Sequence, residues 1–279
     1  MATTGAGYGR LPLSAYARTR IAHTGAYTGP RRVGCLIAGT QKGGTTALAS
    51  YFYEHPEISI PETKEVHFFD SEWVFETSAV DYDGYHAQFP AGADTRVLCD
   101  ATPIYMYWNP APARIRRYNP AMKWIFVLRD PIERAHSHWN MQRAKGRDTL
   151  GFLEAITTEN DRCRTALPLQ HPWWSYTDRG FYAQQLRRIL QLFPAEQLLV
   201  LKSEDLRSDP AAVLERVRAF LGIAAFGPTA SRDVYPGQYL TGPETEARRR
   251  LAERFEHDVR DLERMFGLDC SGWLRESRG

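Results

Sequence analysis

Short apolar runs and amphipathic stretches alternate along most of this chain. Apolar runs rich in β-branched and aromatic residues predict strands at 33–38, 96–100, 123–129 and 197–202. Between them, apolar residues recur at helical spacing and predict helices near 45–55, 110–118, 131–144, 150–162, 179–193 and 210–221. This βαβ rhythm predicts an α/β fold with a parallel sheet and helices on both of its faces, and a ligand at the strand C-termini.

The C-terminal part carries one more helical pattern, formed by Leu251, Phe255, Val259, Leu262 and Phe266. A chain of 279 residues can form one large α/β domain or two small ones. No repeat or low-complexity tract divides it, so we predict a single domain over residues 33–279. Residues 1–32, with many Gly, Ala, Thr and Tyr, are predicted to be an N-terminal arm, extended or partly ordered.

Charge and hydropathy narrow the choice of partners. The formal net charge is +2, and the basic clusters at 114–117, 187–188 and 248–250 are each explained by a solvated helix face. We therefore expect no nucleic-acid partner. No segment approaches about 18 consecutive apolar residues, and residues 1–32 lack the apolar core of a signal peptide. We accordingly expect no membrane partner and a cytoplasmic location.

The four cysteines are widely spaced and show no metal-binding motif; they are Cys35, Cys99, Cys163 and Cys270. Cys35 and Cys99 lie in predicted strands and are expected to be small core residues. The sequence thus predicts no metal site, and it does not indicate an oligomeric state.

The first predicted strand leads directly into Gly39-Thr-Gln-Lys-Gly-Gly-Thr-Thr46, which precedes a predicted helix. A glycine-rich turn at a helix N-terminus presents backbone N–H groups and the positive end of the helix dipole to an anion. Candidate phosphate-binding residues are Gly43, Gly44, Thr45 and Thr46, with Lys42 as a movable positive charge. The alternative is a tight turn that binds nothing.

The position of Lys42 distinguishes this loop from the ATP or GTP loop, in which the lysine stands directly before the hydroxyl residue. Here two glycines separate Lys42 from Thr45, so the ammonium lies at the mouth of the loop. In that position it is better placed to touch a group leaving the 5′ end of a short nucleotide than to follow a triphosphate.

A second candidate follows the strand predicted at 123–129. Arg129 stands at its C-terminal end, and Asp130-Pro131 begins a helix that carries Ser137 about two turns later. An arginine fork and a hydroxyl in these positions can converge on one phosphate. Alternatively, Arg129 pairs with Asp130 or Glu133 and binds no ligand.

The third candidate is the segment Thr63-Lys-Glu-Val-His-Phe-Phe-Asp70. In an extended chain alternate residues share a face, so Glu65, His67 and Phe69 are expected to point the same way. A carboxylate beside an imidazole can serve as a general base with its orienting partner. The alternative is a strand edge with a solvated Lys64–Glu65 pair, and spacing alone favours it.

Taken together and in this order, the three segments resemble the sulfotransferases that use 3′-phosphoadenosine 5′-phosphosulfate (PAPS), and most closely the heparan-sulfate sulfotransferase branch and its bacterial relatives. The resemblance runs from about residue 33 to residue 221 and includes the segments 178–182 and 199–206. It implies the P-loop-type parallel sheet of the sulfotransferase fold. It also implies sulfuryl transfer from PAPS to a hydroxyl, with 3′-phosphoadenosine 5′-phosphate (PAP) as product and no metal.

The resemblance assigns roles to individual positions. The lysine of the loop touches the 5′ phosphosulfate and assists its departure, the loop surrounds the 5′ phosphate, and the arginine–serine pair holds the 3′ phosphate. The donor-binding residues implied are Lys42, Gly43, Gly44, Thr45, Thr46, Arg129 and Ser137. Glu65 is implied to take the proton of the acceptor hydroxyl, and His67 and Asp70 to lie beside it on the acceptor side.

Two departures from the family pattern concern the acceptor and the nucleotide. The heparan enzymes carry a lysine before the Thr-Pro of the segment that begins with Ala101 here, so one cationic contact is missing. Their late Lys-Gly-Arg loop, which folds over the nucleotide, is absent from residues 226–243, where Tyr235 is our candidate for nucleotide contact. A heparan-like acceptor therefore does not follow from the resemblance.

Aromatic residues in two loops and beside the expected nucleotide site either cover the core or bind the acceptor, and the sequence leaves both possibilities open. They are Tyr105, Trp108, Trp139, Trp173 and Trp174. If they bind, the acceptor is a compact, partly apolar alcohol or phenol. With the balanced net charge, this favours a small natural product as acceptor, and a carbohydrate is the alternative.

Two other classes of function remain open. A P-loop kinase or NTPase needs magnesium and an acidic ligand at a strand end, for which Asp100 is the candidate. A nucleotide-binding module without chemistry has no need of Lys42 or Glu65, and their presence favours an enzyme.

Overall fold

Five parallel strands form the centre of the structure, a computed structural model that describes residues 32–77, 79–229 and 242–274. The strands are β1 (Cys35–Gly39), β2 (Ile58–Ser59), β3 (Val97–Asp100), β4 (Lys123–Leu128) and β5 (Leu198–Lys202). All four predicted strands are confirmed, and β2, with two residues, is too short to be detected from periodicity. Residues 1–31 of the predicted arm, and Tyr235, lie outside the described residues.

The order of the strands is β2-β3-β1-β4-β5, so the first strand of the chain lies at the centre. Cys35 of β1 is in register with Cys99 of β3 on one side and with Lys123 of β4 on the other. The chain therefore continues from β3 to β4 by passing β1. The carboxyl ends of β1 and β4 lie where the strand order reverses, and such a point forms a crevice for ligands in open parallel sheets.

Helices cover both faces of the sheet, as predicted. They are α1 (Thr45–Tyr53), α2 (Glu72–Phe75), α3 (Tyr82–His86), α4 (Ala111–Tyr118), α5 (Pro131–Ala144), α6 (Phe152–Thr157), α7 (Glu159–Cys163), α8 (Tyr182–Leu190), α9 (Ser203–Ser208), α10 (Pro210–Leu221) and α11 (Thr245–Phe266). The helix predicted at 150–162 is divided into α6 and α7 at Thr158. The helix predicted at 179–193 is shorter, because a 3₁₀ turn, Asp178–Gly180, precedes α8.

Strand β4 shows how the core is divided. Trp124 and Phe126 pack in one apolar cluster with α4, α5, α8 and α11, whereas Ile125 and Val127 pack in a second cluster with α1 and α10. Because successive side chains of a strand point to opposite faces, a strand buried on both sides is a continuous apolar run. The apolar positions of α11 up to residue 262 are buried in the first cluster, so the predicted C-terminal helix is confirmed.

Two further observations complete the fold. The four cysteines are unpaired thiols, and Cys35 and Cys99 are fully buried core residues, as expected. Within the described ranges, every helix is too short or too polar to cross a membrane.

Candidate active site

The loop after β1 turns tightly against the end of β4. The N–H of Thr40 donates to the carbonyl oxygen of Val127 over 2.9 Å. A Cβ added to Gly43 would lie 2.3 Å from the same oxygen, so only glycine fits there. Gly44 has a φ of 100°, a conformation that side chains disfavour. Both glycines are therefore required by the path of the loop.

The N-terminus of α1 is open to an anion. Its N-cap is Gly44, which has no side chain to cap the helix, and the first turn contains no acidic residue. Ala47 and Leu48 donate their N–H groups to the carbonyl of Gly44, whereas the N–H groups of Thr45 and Thr46 are left over by the geometry of a helix end. With the helix dipole behind them, these groups can bind an anion, and anion binding by this loop stays a prediction.

Lys42 lies in a region of positive potential at the mouth of this loop. Burial first, and then the nearby charges of Arg129 and Lys145, lower the pKa of Lys42 to about 8, against the opposing effect of Glu65. The loop lysine, the arginine that follows β4 and the predicted base thus lie close enough to influence one another. Such a field suits a ligand with several negative charges.

A backbone observation independently marks the same place. Among the described residues, the non-glycine positions with positive φ are Lys42 (71°), Glu65 (68°) and His67 (55°). A non-glycine residue in the left-handed region costs about 1–3 kcal/mol, and such residues cluster at functional sites. The three residues predicted to be catalytic are thus the three that the fold holds in this unfavourable conformation.

The segment 63–70 is not extended, and the face-sharing argument made from its sequence is wrong. The left-handed residues Glu65 and His67 redirect the chain, and Phe69 is fully buried in the core instead of sharing a face with them. The carboxylate and the imidazole nevertheless meet, since Nε2 of His67 lies 3.3 Å from Oε2 of Glu65. On the other side of the ring, Nδ1 lies 2.7 Å from Oδ2 of Asp70.

The two carboxylates determine the protonation of His67. Burial by itself lowers the pKa of His67, but the hydrogen bonds with Asp70 and Glu65 outweigh it and raise the pKa to about 9. Burial raises the pKa of Glu65, but the charge of Lys64 and the contact with His67 outweigh it and hold that pKa below its ordinary value. At neutral pH the site therefore contains an ionised Glu65 oriented by an imidazolium.

Lys64 is not the solvated partner that the alternative interpretation assumed. It is only 7% exposed. Its Nζ lies 3.1 Å from Oε1 of Glu65 and 3.5 Å from Oγ1 of Thr45. Lys64 therefore connects the predicted base with the first residue of α1.

A buried network under the segment 63–70 begins at Asp100, the last residue of β3. Its Oδ1 accepts from the hydroxyl of Thr102 over 2.6 Å, and its Oδ2 accepts from Tyr85 and Tyr105 over 2.9 Å each. Thr102 in turn accepts the N–H of His67 over 3.5 Å. Burial raises the pKa of Asp100 to about 6. Both oxygens are engaged by protein donors, so Asp100 is not placed to serve as the magnesium ligand of a kinase.

Arg129 and Ser137 flank a carboxylate. The side chain of Asp130 caps α5, and Arg129, just before it, lies 3.6 Å from Glu133, which is the pairing that the alternative interpretation expected. Ser137 is buried one turn beyond Glu133, on the same side of the helix. Glu133 also pairs with Arg248, so it keeps a cationic partner if Arg129 turns to a ligand.

Two residues that support the loop after β1 and the end of β4 were missed as functional candidates. Arg179, nearly fully buried, donates to Oε1 of Gln41 over 2.8 Å and to the carbonyl of Pro172 over 2.9 Å. The hydroxyl of Tyr182 donates to the carbonyl of Arg129 over 2.9 Å. Their only signal in the sequence was their place in the segment 178–182, which carried part of the family resemblance.

Two of the aromatic candidates lie in the core, behind the site. Tyr105 is fully buried, and its hydroxyl accepts the N–H of Phe68 over 3.0 Å. Trp108 is 7% exposed, and its Nε1 donates to Glu72 over 2.7 Å. In this structure their polar atoms are engaged by the protein, so we do not keep them in the acceptor site.

The other three aromatic candidates are partly exposed. Trp139 stacks on His136, and Trp174 stacks on His171 with ring centroids 4.3 Å apart. Trp173 has the guanidinium of Arg147 4.8 Å from the centre of its ring.

Comparison with known proteins places the chain in a family. Residues 34–230 match the family model described as Sulfotransferase domain. The human heparan sulfate glucosamine 3-O-sulfotransferase 3B1 is 36% identical over 192 residues, which are 67% of this chain and 45% of that protein. The human bifunctional heparan sulfate N-deacetylase/N-sulfotransferase 2 is 28% identical over 275 residues, 86% of this chain and 30% of that protein. The chain thus spans about half, or less, of the length of these relatives.

Solved structures agree. The crystal structure of a sulfotransferase from Alicyclobacillus acidocaldarius has a TM-score of 0.74 and 30% identity, covering 88% of this chain and 99% of that one. Mouse sulfotransferase SULT7A1 complexed with PAP has a TM-score of 0.54 and 14% identity, covering 85% and 87%, and shows the shared fold alone. The family model covers most of the chain, including the glycine-rich loop, the segment 63–70 and the end of β4, and this chain therefore belongs to the sulfotransferase domain family.

Proposed function

We propose that this protein transfers the sulfuryl group of PAPS to a hydroxyl group of an acceptor. The observation that carries the proposal is the meeting, at the reversal of strand order, of an open anion cradle, a half-buried lysine and a carboxylate–imidazolium pair. Membership of the family supports the same reaction.

The residues present fit the donor. The leftover N–H groups of Thr45 and Thr46 and the tight turn at Gly43 and Gly44 suit the 5′ phosphate, since no side chain of the described residues caps this helix end. Arg129 and Ser137 would hold the 3′ phosphate. Lys42, whose pKa of about 8 results from burial and from neighbouring cations, is placed in a cradle with excess positive charge.

PAPS supplies an activated sulfur–oxygen bond, and the protein supplies the proton acceptor and the charge stabilisation. Glu65 accepts the proton of the acceptor hydroxyl as the new oxygen–sulfur bond forms and the bond between sulfur and the bridging oxygen breaks. The electron pair stays on that oxygen of the departing PAP, where Lys42 and the N–H groups of the loop stabilise it. A carboxylate of low pKa suffices, because the acceptor oxygen becomes strongly acidic as it bonds to sulfur.

For the acceptor, we propose a compact, partly apolar alcohol or phenol, such as a small natural product. The support is Trp173, a partly exposed ring with the guanidinium of Arg147 4.8 Å from its centre, which offers a flat apolar surface on the loop 167–176. A carbohydrate hydroxyl is the second candidate, and the similarity to sulfotransferases named for heparan sulfate favours it.

The donor is tested by calorimetry with PAP and with ATP plus magnesium, on the native protein and on Arg129→Ala, with Arg116→Ala as a control on the exposed side of α4. We expect tight binding of PAP, unchanged by EDTA, that is weakened about 100-fold in Arg129→Ala and kept in the control. Preference for ATP with magnesium would refute the proposal and favour a kinase.

The acceptor is tested by incubating the protein with radiolabelled PAPS and a panel of phenols, small alcohols and heparan-derived oligosaccharides. Label transferred to phenols or alcohols supports the small-molecule proposal. Label transferred only to the oligosaccharides supports the carbohydrate alternative and refutes the small-molecule one.

A further inference from the structure

Resting on the proposed function, we propose that Lys64 is a second catalytic cation, whose ammonium binds the sulfuryl group of PAPS during its transfer. Lys64 lies in the segment 63–70 beside the predicted base, but neither the sequence pattern nor the family resemblance assigns it a role. The proposal rests on the position of its Nζ, on its burial and on its unused hydrogen-bonding capacity.

The position of Lys64 follows the path of the transferred group. In a direct displacement the sulfur lies between the leaving phosphate oxygen and the attacking oxygen of the acceptor. The phosphate belongs at the N-terminus of α1, which begins at Thr45, and the attacking hydroxyl belongs at Glu65. The Nζ of Lys64 lies 3.5 Å from Oγ1 of Thr45 and 3.1 Å from Oε1 of Glu65, so it contacts both ends of this path.

The ammonium also has capacity left for a ligand. A lysine has three N–H donors, and the two contacts just given account for two of them. For the third donor, the described part of the chain provides no hydrogen-bond partner. A lysine that is 7% exposed has little access to water, and an oxygen of the sulfuryl group would satisfy the remaining N–H.

The charge balance of the site points the same way. Ala101, where the heparan enzymes carry a lysine, is an almost fully buried apolar residue and contributes no charge. Lys64 approaches the site from another segment. Burial raises the pKa of Glu65, and the charge of Lys64 is the largest effect that opposes it. The pKa of Lys42 is lowered first by burial, and Lys64 makes a smaller contribution in the same direction. Besides Lys42 at the mouth of the loop, the site thus contains Lys64 between the helix end and the base.

A purely electrostatic role, in which Lys64 only holds Glu65 ionised, makes a different prediction. Without the lysine, the pKa of Glu65 would rise. The acidic limb of the pH–rate profile would then move to higher pH, while the rate on the plateau would be kept. A lysine that binds the sulfuryl group is needed at every pH, so its loss lowers the plateau itself.

The experiment compares Lys64→Met and Lys64→Arg with the native protein and with Lys123→Met. Lys123 is a control because it is a partly buried lysine at the opposite, N-terminal end of β4, where it donates to the carbonyl of Phe220. Affinity for PAP is measured by calorimetry. The values of kcat and kcat/KM for PAPS are measured from pH 4 to 9, so that an acidic limb displaced into the ordinary carboxylate range can be seen, with an acceptor from the panel or with water as acceptor.

We expect Lys64→Met to lower the plateau kcat about 100-fold, in the range found for loss of one donor to a transition-state charge. Its affinity for PAP, which has no sulfuryl group, should stay within about threefold of native, Lys64→Arg should recover part of the rate, and Lys123→Met should keep it. A kept plateau with a displaced acidic limb, or an equal loss of rate and PAP affinity, would overturn the proposal. If the native protein did not bind PAP, the proposed function would fail first, and the role of Lys64 with it.

Discussion

Replacing Tyr105 with phenylalanine removes a single oxygen atom from the network that supports the segment 63–70, which carries the proposed base. That hydroxyl donates to Oδ2 of Asp100 over 2.9 Å and accepts the N–H groups of Phe68 and Phe69 over 3.0 and 3.4 Å. The benzene ring can stay in place, so the change is nearly isosteric and tests the hydrogen bonds alone.

The expected cost follows from burial. Tyr105 and Asp100 are fully buried, so water cannot replace the lost hydroxyl. A hydrogen bond to a charged acceptor contributes about 1.5–3 kcal/mol, and a buried N–H left without a partner costs about 1–3 kcal/mol. We expect the free energy of unfolding to fall by about 2–4 kcal/mol. Without these hydrogen bonds the backbone at Glu65 and His67 can leave its left-handed conformation, which would displace the proposed base. We expect turnover to fall at least about tenfold, because a displacement of a reacting group lowers the rate by that factor or more.

Tyr176→Phe is the matched control. Tyr176 is also fully buried, and its hydroxyl donates to Asp148 over 2.5 Å. Within the part of the chain that the structure describes, it makes no hydrogen bond with the segment 63–70. Urea unfolding measures both stabilities, and an NMR titration follows the ring of His67. In Tyr105→Phe the pKa of His67 should fall from about 9 toward its ordinary value, as the contacts with Asp70 and Glu65 loosen, whereas the control should leave it unchanged. Equal destabilisation of both variants with an unchanged His67 titration and unchanged turnover would refute the idea that this network holds the segment 63–70 in place.

Three further predictions concern the same site. Lys42→Ala should lower kcat about 100-fold or more and reduce the affinity for PAP only several-fold, because the lysine mainly stabilises the charge that develops on the leaving oxygen. Steady-state kinetics measures kcat and calorimetry measures the affinity. An equal loss of kcat and of PAP affinity would contradict this prediction. Burial lowers the pKa of His67, but Asp70 and Glu65 outweigh it, so the pKa in the folded protein is about 9, above the ordinary value. The ionised His67 therefore contributes its full stability below about pH 6.5, and this contribution is lost as the pH rises through about 9. The difference in urea midpoint between native protein and His67→Gln should therefore be larger at pH 6 than at pH 9.5, and a constant difference would contradict the pairing. Gly43→Ala should destabilise the loop and abolish PAP binding, since the added Cβ would lie 2.3 Å from the carbonyl oxygen of Val127. The control Gly151→Ala, which adds its Cβ in open space, should bind PAP normally. Calorimetry measures both affinities, and binding of PAP by both variants would contradict this account of the loop.

The sheet and the donor loop could be predicted from the sequence because their determinants are local. Strand β4 is a continuous apolar run, and α5 begins at Asp130-Pro131, where the aspartate caps the helix and the proline occupies its first position. The glycines at 43 and 44 are dictated by contacts within one turn and with the neighbouring strand.

The acceptor side was less predictable because its geometry depends on contacts distant in sequence. The left-handed backbone at Glu65 and His67 is held by Thr102 and Tyr105, more than thirty positions away. The burial of Lys64 likewise depends on the approach of α1, and a Lys–Glu pair in a sequence looks the same whether it is solvated or enclosed. The assumption of an extended chain was therefore wrong for 63–70, although Glu65 and His67 do lie in contact as it predicted.

The order of the strands has a consequence for how such a protein can change. The loops proposed to bind the donor follow β1 and β4, which are hydrogen-bonded neighbours, so their spacing is fixed by the sheet itself. Glu65 and His67, proposed to face the acceptor, lie on a connection after the two-residue strand β2, at the edge of the sheet, and this connection is supported by side chains instead of by strand pairing. Substitutions around that connection can therefore alter which hydroxyl compound is recognised while the nucleotide half stays intact, a division that allows one scaffold to evolve many acceptor specificities.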